Sequence, residues 1–206
     1  MIRVKFYIDG FNLYHAIAEL GGRKNYLKWV NLQGLSISLL REGENLVGVE
    51  YFSALKKTNI DRLKRHEQYI EALRHHDVVS HLGKFKKKRH HCRVCKENYI
   101  GWEEKETDVH IAVKIVEDAF SDEFDKAILI SADTDLMPPL DSVRSFFPDK
   151  SAVVIAPPKR KGRCRSLNPI YEIPESKLKK NLLPEFGVDG SGTEVYRRPK
   201  EYTPPE

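Results

Sequence analysis

Cysteine is scarce in this 206-residue chain: three in all, two of them as Cys92-x-x-Cys95. So few thiols cannot build a disulfide framework, and a chain of this length folds around its own core without one. Long apolar runs are missing too. No segment approaches the about 20 residues that span a bilayer, and the start, with Arg3, Lys5 and then Asp9, lacks a secretory signal. The expectation is a cytoplasmic protein with reduced thiols and no membrane partner. No internal repeat is visible, which excludes solenoid and array architectures.

What is present is a soluble balance of 40% hydrophobic and 32% charged residues, with a net charge of +5 and a pI near 9.0. A basic excess suits a partner rich in phosphate, although simple solubility explains net charge alone. Short runs rich in Val, Ile, Phe and Tyr at 4–8, 46–54, 78–82, 126–131 and 151–156 read as buried strands. Helical spacing fills the gaps between them, over 59–74, over 108–120 and after Asp135, where Pro138 and Pro139 suit a first turn. Alternation of this kind predicts an α/β fold, a three-layer α/β/α sandwich around a mainly parallel sheet. The domain is expected over 1–183. A basic, Cys/His-containing insertion interrupts it at about 84–106, and a tail over 184–206, broken by Gly and Pro, is expected to be mobile.

The chemistry concentrates where apolar runs stop in acid. Ile128-Leu-Ile-Ser-Ala-Asp-Thr-Asp-Leu136 ends a strand in Asp133 and Asp135, and Val4-Lys-Phe-Tyr-Ile-Asp-Gly-Phe-Asn12 ends another in Asp9. Parallel strands bring such ends to one edge, where open α/β sheets bind ligands. A third acidic element, Glu103-Glu-Lys-Glu-Thr-Asp108, precedes a helix, with Thr107 as a candidate N-cap and Asp108 in the first turn. Helix capping accounts for any one of these acids. Capping does not account for Asp133 and Asp135 together, because a second carboxylate so close adds repulsion unless a cation relieves it. Asp9, Asp108, Asp133 and Asp135 together form a carboxylate basin suited to Mg²⁺ or Mn²⁺, which prefer oxygen ligands.

Three motifs, Tyr7-Ile-Asp-Gly-Phe-Asn12, Glu104-Lys-Glu-Thr-Asp-Val109 and Leu129-Ile-Ser-Ala-Asp-Thr-Asp-Leu136, taken in this order, resemble those of the NYN-domain proteins, a branch of the PIN-like nucleases. The resemblance covers about residues 1 to 156. It implies a PIN-like fold and metal-dependent hydrolysis of RNA phosphodiester bonds. Carried over residue by residue, it implies Asp9, Asp108, Asp133 and Asp135 as metal-binding and catalytic acids, with Asn12 and Ser131 as polar helpers. Ala132 departs from the pattern, since many relatives have glycine there.

The stretch Pro157-Pro-Lys-Arg-Lys-Gly-Arg-Cys-Arg165 follows the strand at 151–156 and leaves from the same sheet edge. Its cations, Lys159, Arg160, Lys161, Arg163 and Arg165, are candidates for binding nucleic acid, against the plainer reading of a solvated loop. Cys92 and Cys95, after His90 and His91, supply half of a structural zinc site. His75, His76, His81, Cys164 or a second subunit are left to complete it, and a homodimer stays open. The family resemblance extends to a similar cysteine pair. Two other functions compete with the ribonuclease: a nucleic-acid-binding or regulatory module whose PIN-like site is silent, and a haloacid-dehalogenase-type phosphatase. The phosphatase normally needs a second Asp two residues beyond its first, where this chain has Phe11.

Overall fold

In the computed structural model, which describes residues 1–205, all five runs read as strands are strands of one sheet. They are β1 (Ile2–Asp9), β2 (Glu44–Ala54), β3 (Val79–His91), β5 (Lys126–Ile130) and β6 (Ser151–Ala156). β4 (Asn98–Lys105) and β7 (Tyr171–Glu172) complete an order β4-β3-β2-β1-β5-β6-β7. Every pairing in it is parallel except β3 with β4. The chain builds outward from β1 through β2 and β3, then restarts on the other side of β1 with β5. This reversal opens a crevice above the C-terminal ends of β1 and β5.

Period-two alternation decides which helix covers which face. Val4, Phe6 and Ile8 of β1 point to one face, where they pack with α1 (Gly10–Ala18), α2 (Leu32–Leu39) and α3 (Ile60–His75) through Leu13, Leu35 and Leu73. Tyr7 and Phe52 point to the other, under α4 (Thr107–Phe120) and α5 (Met137–Phe146). The expected three layers result. Lys5 also lies on this second face, buried, with its Nζ 3.2 Å from Glu50 and 2.9 Å from Asp118. Tyr7 donates its hydroxyl to Asp118 at 2.7 Å. A charge this deep survives only when paired, so the cluster fixes where α4 crosses the sheet.

The insertion has regular structure. β3 overshoots the sheet and returns as β4, pairing Lys84 with Lys105 through His91 with Asn98. The basic residues therefore form a two-stranded ribbon, and its return strand delivers the chain to α4 at the sheet's C-terminal edge. The helix starts differently from expectation: the cap position is Glu106, in the left-handed region at φ 81°, and Thr107 is the first helical residue.

The expected mobile tail also differs. After α6 (Glu175–Lys180) the chain forms a hairpin of β8 (Phe186–Val188) and β9 (Glu194–Arg197). Tyr196 is buried with Trp29 and Leu183, and its hydroxyl lies 2.9 Å from His76 Nε2. Gly190 and Gly192 mark the turn at 189–193, but one aromatic side chain anchors the hairpin on α3. Tyr196→Ala should lower stability by about 3 kcal/mol, the usual cost of emptying a buried aromatic site. Thermal unfolding checks this, and a melting temperature equal to wild type would mean that the hairpin is not docked in solution.

Candidate metal and nucleic-acid site

Asp9 closes β1 and caps α1, accepting from Asn12 N at 2.9 Å. Its other oxygen accepts from Ser131 Oγ at 2.8 Å, across the gap to the end of β5. Ser131 Oγ accepts in turn from Asp133 N at 3.0 Å, and Asn12 Oδ1 accepts from Ala132 N at 3.1 Å. These four bonds lock the loop after β5 to the start of α1 and fix Asp133 beside Asp9. Ala132 is not among the residues with positive φ, so alanine fits this turn without strain. Gly10 is under a sharper constraint: a Cβ there would lie 2.6 Å from the Phe52 carbonyl oxygen and 2.5 Å from the Tyr51 ring. The site therefore needs glycine immediately after its first aspartate.

Asp9, Asp108 and Asp133 line one pocket of about 350 Å³, together with Glu104 and Arg160. Its acids come from β1, β4, α4, the loop after β5 and, as Glu19, the C-cap of α1. Asp135 does not line it; this exposed residue turns its backbone N–H onto Asp133 Oδ1 at 3.0 Å. It still bears on the site, because its charge, with that of Asp133, helps to raise the Asp108 carboxyl above the usual range after partial desolvation. Burial pushes Asp9 up to about 6 despite its hydrogen bonds, and Asp108 and Asp133 push the same way. Glu104 rises to about 7, first by burial and then by repulsion from Asp9 and Asp108.

Glu104 is a site residue that the Glu104–Val109 motif does not single out by itself. Its signal lay in strand alternation: Glu103 faces outward to Lys88 and Lys105, so Glu104 faces inward. That signal could be read only once 98–105 was recognised as a strand.

Of the five cations in the 159–165 loop, only Arg160 lines the acidic pocket. Its guanidinium donates to Glu19 at 2.6 Å, while its buried Nε has no partner. Arg163 also pairs with Glu19, at 3.4 Å. Lys159, Lys161 and Arg165 are exposed and do not line the pocket.

Cys92 and Cys95 occupy the turn of the ribbon, where Cys95 N points to Cys92 Sγ at 3.5 Å. None of the suggested intrachain completions joins them. Cys164 is buried in the core, His81 is bonded to Glu50 at 2.7 Å, and His75 and His76 pack on Tyr196.

Among the described residues, no three His, Cys, Asp or Glu side chains stand close enough to enclose a metal ion by themselves. The acidic pocket nevertheless suits a hard divalent cation. Most of its donors are carboxylate oxygens, with Asn12 and His15 beside them; the carboxylates repel one another, and Glu104 Oε1 is buried without a hydrogen-bond partner. Mg²⁺ keeps several waters and needs only one or two direct carboxylates, so an open pocket of this kind accommodates it.

The NYN domain matches residues 3–165. The chain belongs to the NYN domain family, within the PIN-like nuclease superfamily. A solved structure of a protein of unknown function from Vibrio parahaemolyticus is similar in fold, with a TM-score of 0.55 and 16% identity over 84% of this chain and 91% of the other. The 6-hydroxy-3-succinoylpyridine 3-monooxygenase of Pseudomonas putida is 23% identical over 81% of this chain. The NYN chain spans 62% of the length of that relative. No helix among the described residues is long and apolar enough to cross a membrane.

The raised carboxyls carry a pH signature. In metal-free protein, folded Glu104 holds its proton to about pH 7, whereas an unfolded glutamate releases it near its ordinary value of 4.5. Ionisation between these limits therefore weakens the folded state, and stability falls as pH rises through that window. In EDTA, Glu104→Gln should melt higher than wild type at about pH 8 and level with it near pH 4. A variant no more stable at the higher pH would show that the carboxylates do not strain one another.

Proposed function

We propose that this NYN protein is a Mg²⁺- or Mn²⁺-dependent ribonuclease that hydrolyses phosphodiester bonds at the acidic pocket. The observation carrying this reading is the convergence of Asp9, Glu104, Asp108 and Asp133, from four separate elements, on one pocket at the crevice where the sheet reverses. Asp9, Asp108 and Asp133 are the residues that would hold the cation, with Glu104 beside them and Asp135 adding charge from outside. When bound, the cation supplies an activated water for attack on phosphorus and offsets charge on the leaving oxygen.

The chain's own residues do the positioning. Asn12 and Ser131 hold the Asp9 carboxylate in a single orientation and couple it to Asp133. Arg160, on the pocket wall, brings a guanidinium charge to a phosphate oxygen there. Lys159, Lys161 and Arg165, with Arg163, give the RNA backbone a basic flank, a contact that adds affinity without sequence preference.

A small aromatic acid is a second candidate substrate. The relative named as a 6-hydroxy-3-succinoylpyridine 3-monooxygenase motivates it, and an aromatic cavity that shares Phe11, His15 and Glu104 with the acidic pocket is the feature that favours it.

Asp133→Asn keeps the shape of the side chain and removes the charge that binds metal. Cleavage of labelled RNA in Mn²⁺ should fall at least about 100-fold, with thermal unfolding close to wild type, whereas full activity of the variant or activity in excess EDTA would exclude the mechanism. Joint replacement of Lys159, Lys161 and Arg165 by Ala should flatten the salt dependence of RNA binding, and an unchanged slope would reduce the loop to solvated surface. Cys92 and Cys95 are proposed to hold structural zinc jointly with the same pair of a second copy, since the chain itself offers two thiolates at that turn. Elemental analysis should give one zinc per two chains, lost in the Cys92→Ser, Cys95→Ser variant; metal-free wild type would exclude it.

A further inference from the structure

A second cavity, of about 380 Å³, opens beside the acidic pocket and shares Phe11, His15 and Glu104 with it. Its volume lies in the range of small-ligand sites, about 300–1,000 Å³. The walls are aromatic: Phe11, Tyr14, Tyr51, Tyr69, Phe85 and Tyr202. These rings come from α1, β2, α3, the base of the ribbon and the C-terminal segment, so distant parts of the chain converge on it. Phe11 meets Phe85 edge-on at 5.8 Å, and Tyr51 meets Tyr69 edge-on at 5.9 Å.

Apart from Glu104 on the side shared with the acidic pocket, the inner surface carries one cluster of neutral polar groups. His66 Nε2 lies 3.3 Å from Ser53 Oγ and 3.5 Å from the Tyr51 hydroxyl. Burial pushes the His66 imidazole down to about 4, so it is neutral and offers one donor and one acceptor. Lys28, Lys56, Arg62 and Arg65 also line the cavity, and Lys56 and Arg62 are exposed on its rim. An aromatic slot, a neutral polar floor and a cationic rim match a planar heterocycle that carries phosphate on either side. Stacking supplies the affinity, the floor meets the ring edge, and the rim meets the backbone.

We propose that this cavity captures one unstacked base of the RNA strand whose backbone crosses the acidic pocket, so that the cut falls at a fixed distance from the captured base. A base paired in a duplex cannot enter, because it would have to leave its stack. The proposal rests on the nuclease reading for where the strand lies, but base capture is measurable without cleavage.

The test uses the full chain and short fluorescent oligoribonucleotides, each with a single abasic site at a different position. In Mn²⁺, one abasic position at a constant distance from the cut should suppress cleavage. In EDTA, an abasic strand lacking the captured base should bind at least about fivefold more weakly than the intact strand, the scale of a lost base stack. Leu63→Trp, which fills the cavity from α3 and leaves every acid in place, should weaken the intact strand equally and abolish its advantage over the abasic one. If that variant does not fold, Lys56→Ala with Arg62→Ala, both on exposed rim positions, should weaken binding of the intact strand and reduce its salt dependence.

Equal binding of intact and abasic strands would overturn the proposal, as would a Leu63→Trp variant that still prefers the intact strand. A free nucleoside monophosphate binding as tightly as the strand would overturn it too, assigning the cavity to free nucleotides. The nuclease reading fails separately. Base-dependent binding without cleavage in Mn²⁺ would leave base capture standing and remove the ribonuclease; cleavage indifferent to abasic sites would do the reverse.

Discussion

Asp9 is the constraint on which the rest of the site depends. It is buried to 5% exposure, yet it caps α1 with one oxygen and binds Ser131 with the other. A carboxylate in such a place is tolerable only if its lone pairs are filled, and here the two ends of the crevice fill them. Because Ser131 also accepts from Asp133 N, the bond that satisfies Asp9 places the next acid. Structure and site thus rest on one small network, and the residual repulsion among its neighbours is what a divalent cation would remove.

Two further acids reach the same crevice by a different route. β4 runs antiparallel to β3, so its C-terminal end comes back to the edge from which β3 departed. Glu104 sits on that returning strand and Asp108 in the first turn of the helix that follows. The helix is held on the sheet by Asp118, which meets Lys5, Lys114 and Tyr7 within 2.9 Å. Buried ion pairs add little net stability, but they choose one arrangement over others. Here they choose the depth and direction of α4, and with them the position of Asp108.

The parts of this architecture legible in the sequence are those where burial dictates residue type. β1, β5 and β6 are covered on both faces, so β5 and β6 read as apolar runs and β1 as one interrupted by the buried, paired Lys5. The turns after β1 and β5 stood out because acid follows the core directly. The ribbon was opaque for the opposite reason: with no core beneath most of its length, alternation between its faces leaves Lys, Arg and His on both. Missing the strand hid Glu104, and it also hid the αL start of α4 at Glu106. The C-terminal hairpin is anchored chiefly through Tyr196 on Trp29, a long-range contact that no local pattern announces. In the 159–165 loop, position after a core strand was informative about Arg160, but which cations face the acids depended on Glu19, on a different helix boundary.

The claim that these acids form a divalent-cation site is tested most directly by diffraction from crystals soaked in Mn²⁺ and measured for its anomalous signal. The account predicts an anomalous peak within the pocket bounded by Asp9, Glu104, Asp108 and Asp133, absent when Asp108 is replaced by Asn. A pocket without that peak, or manganese bound only at other surface carboxylates, would contradict it.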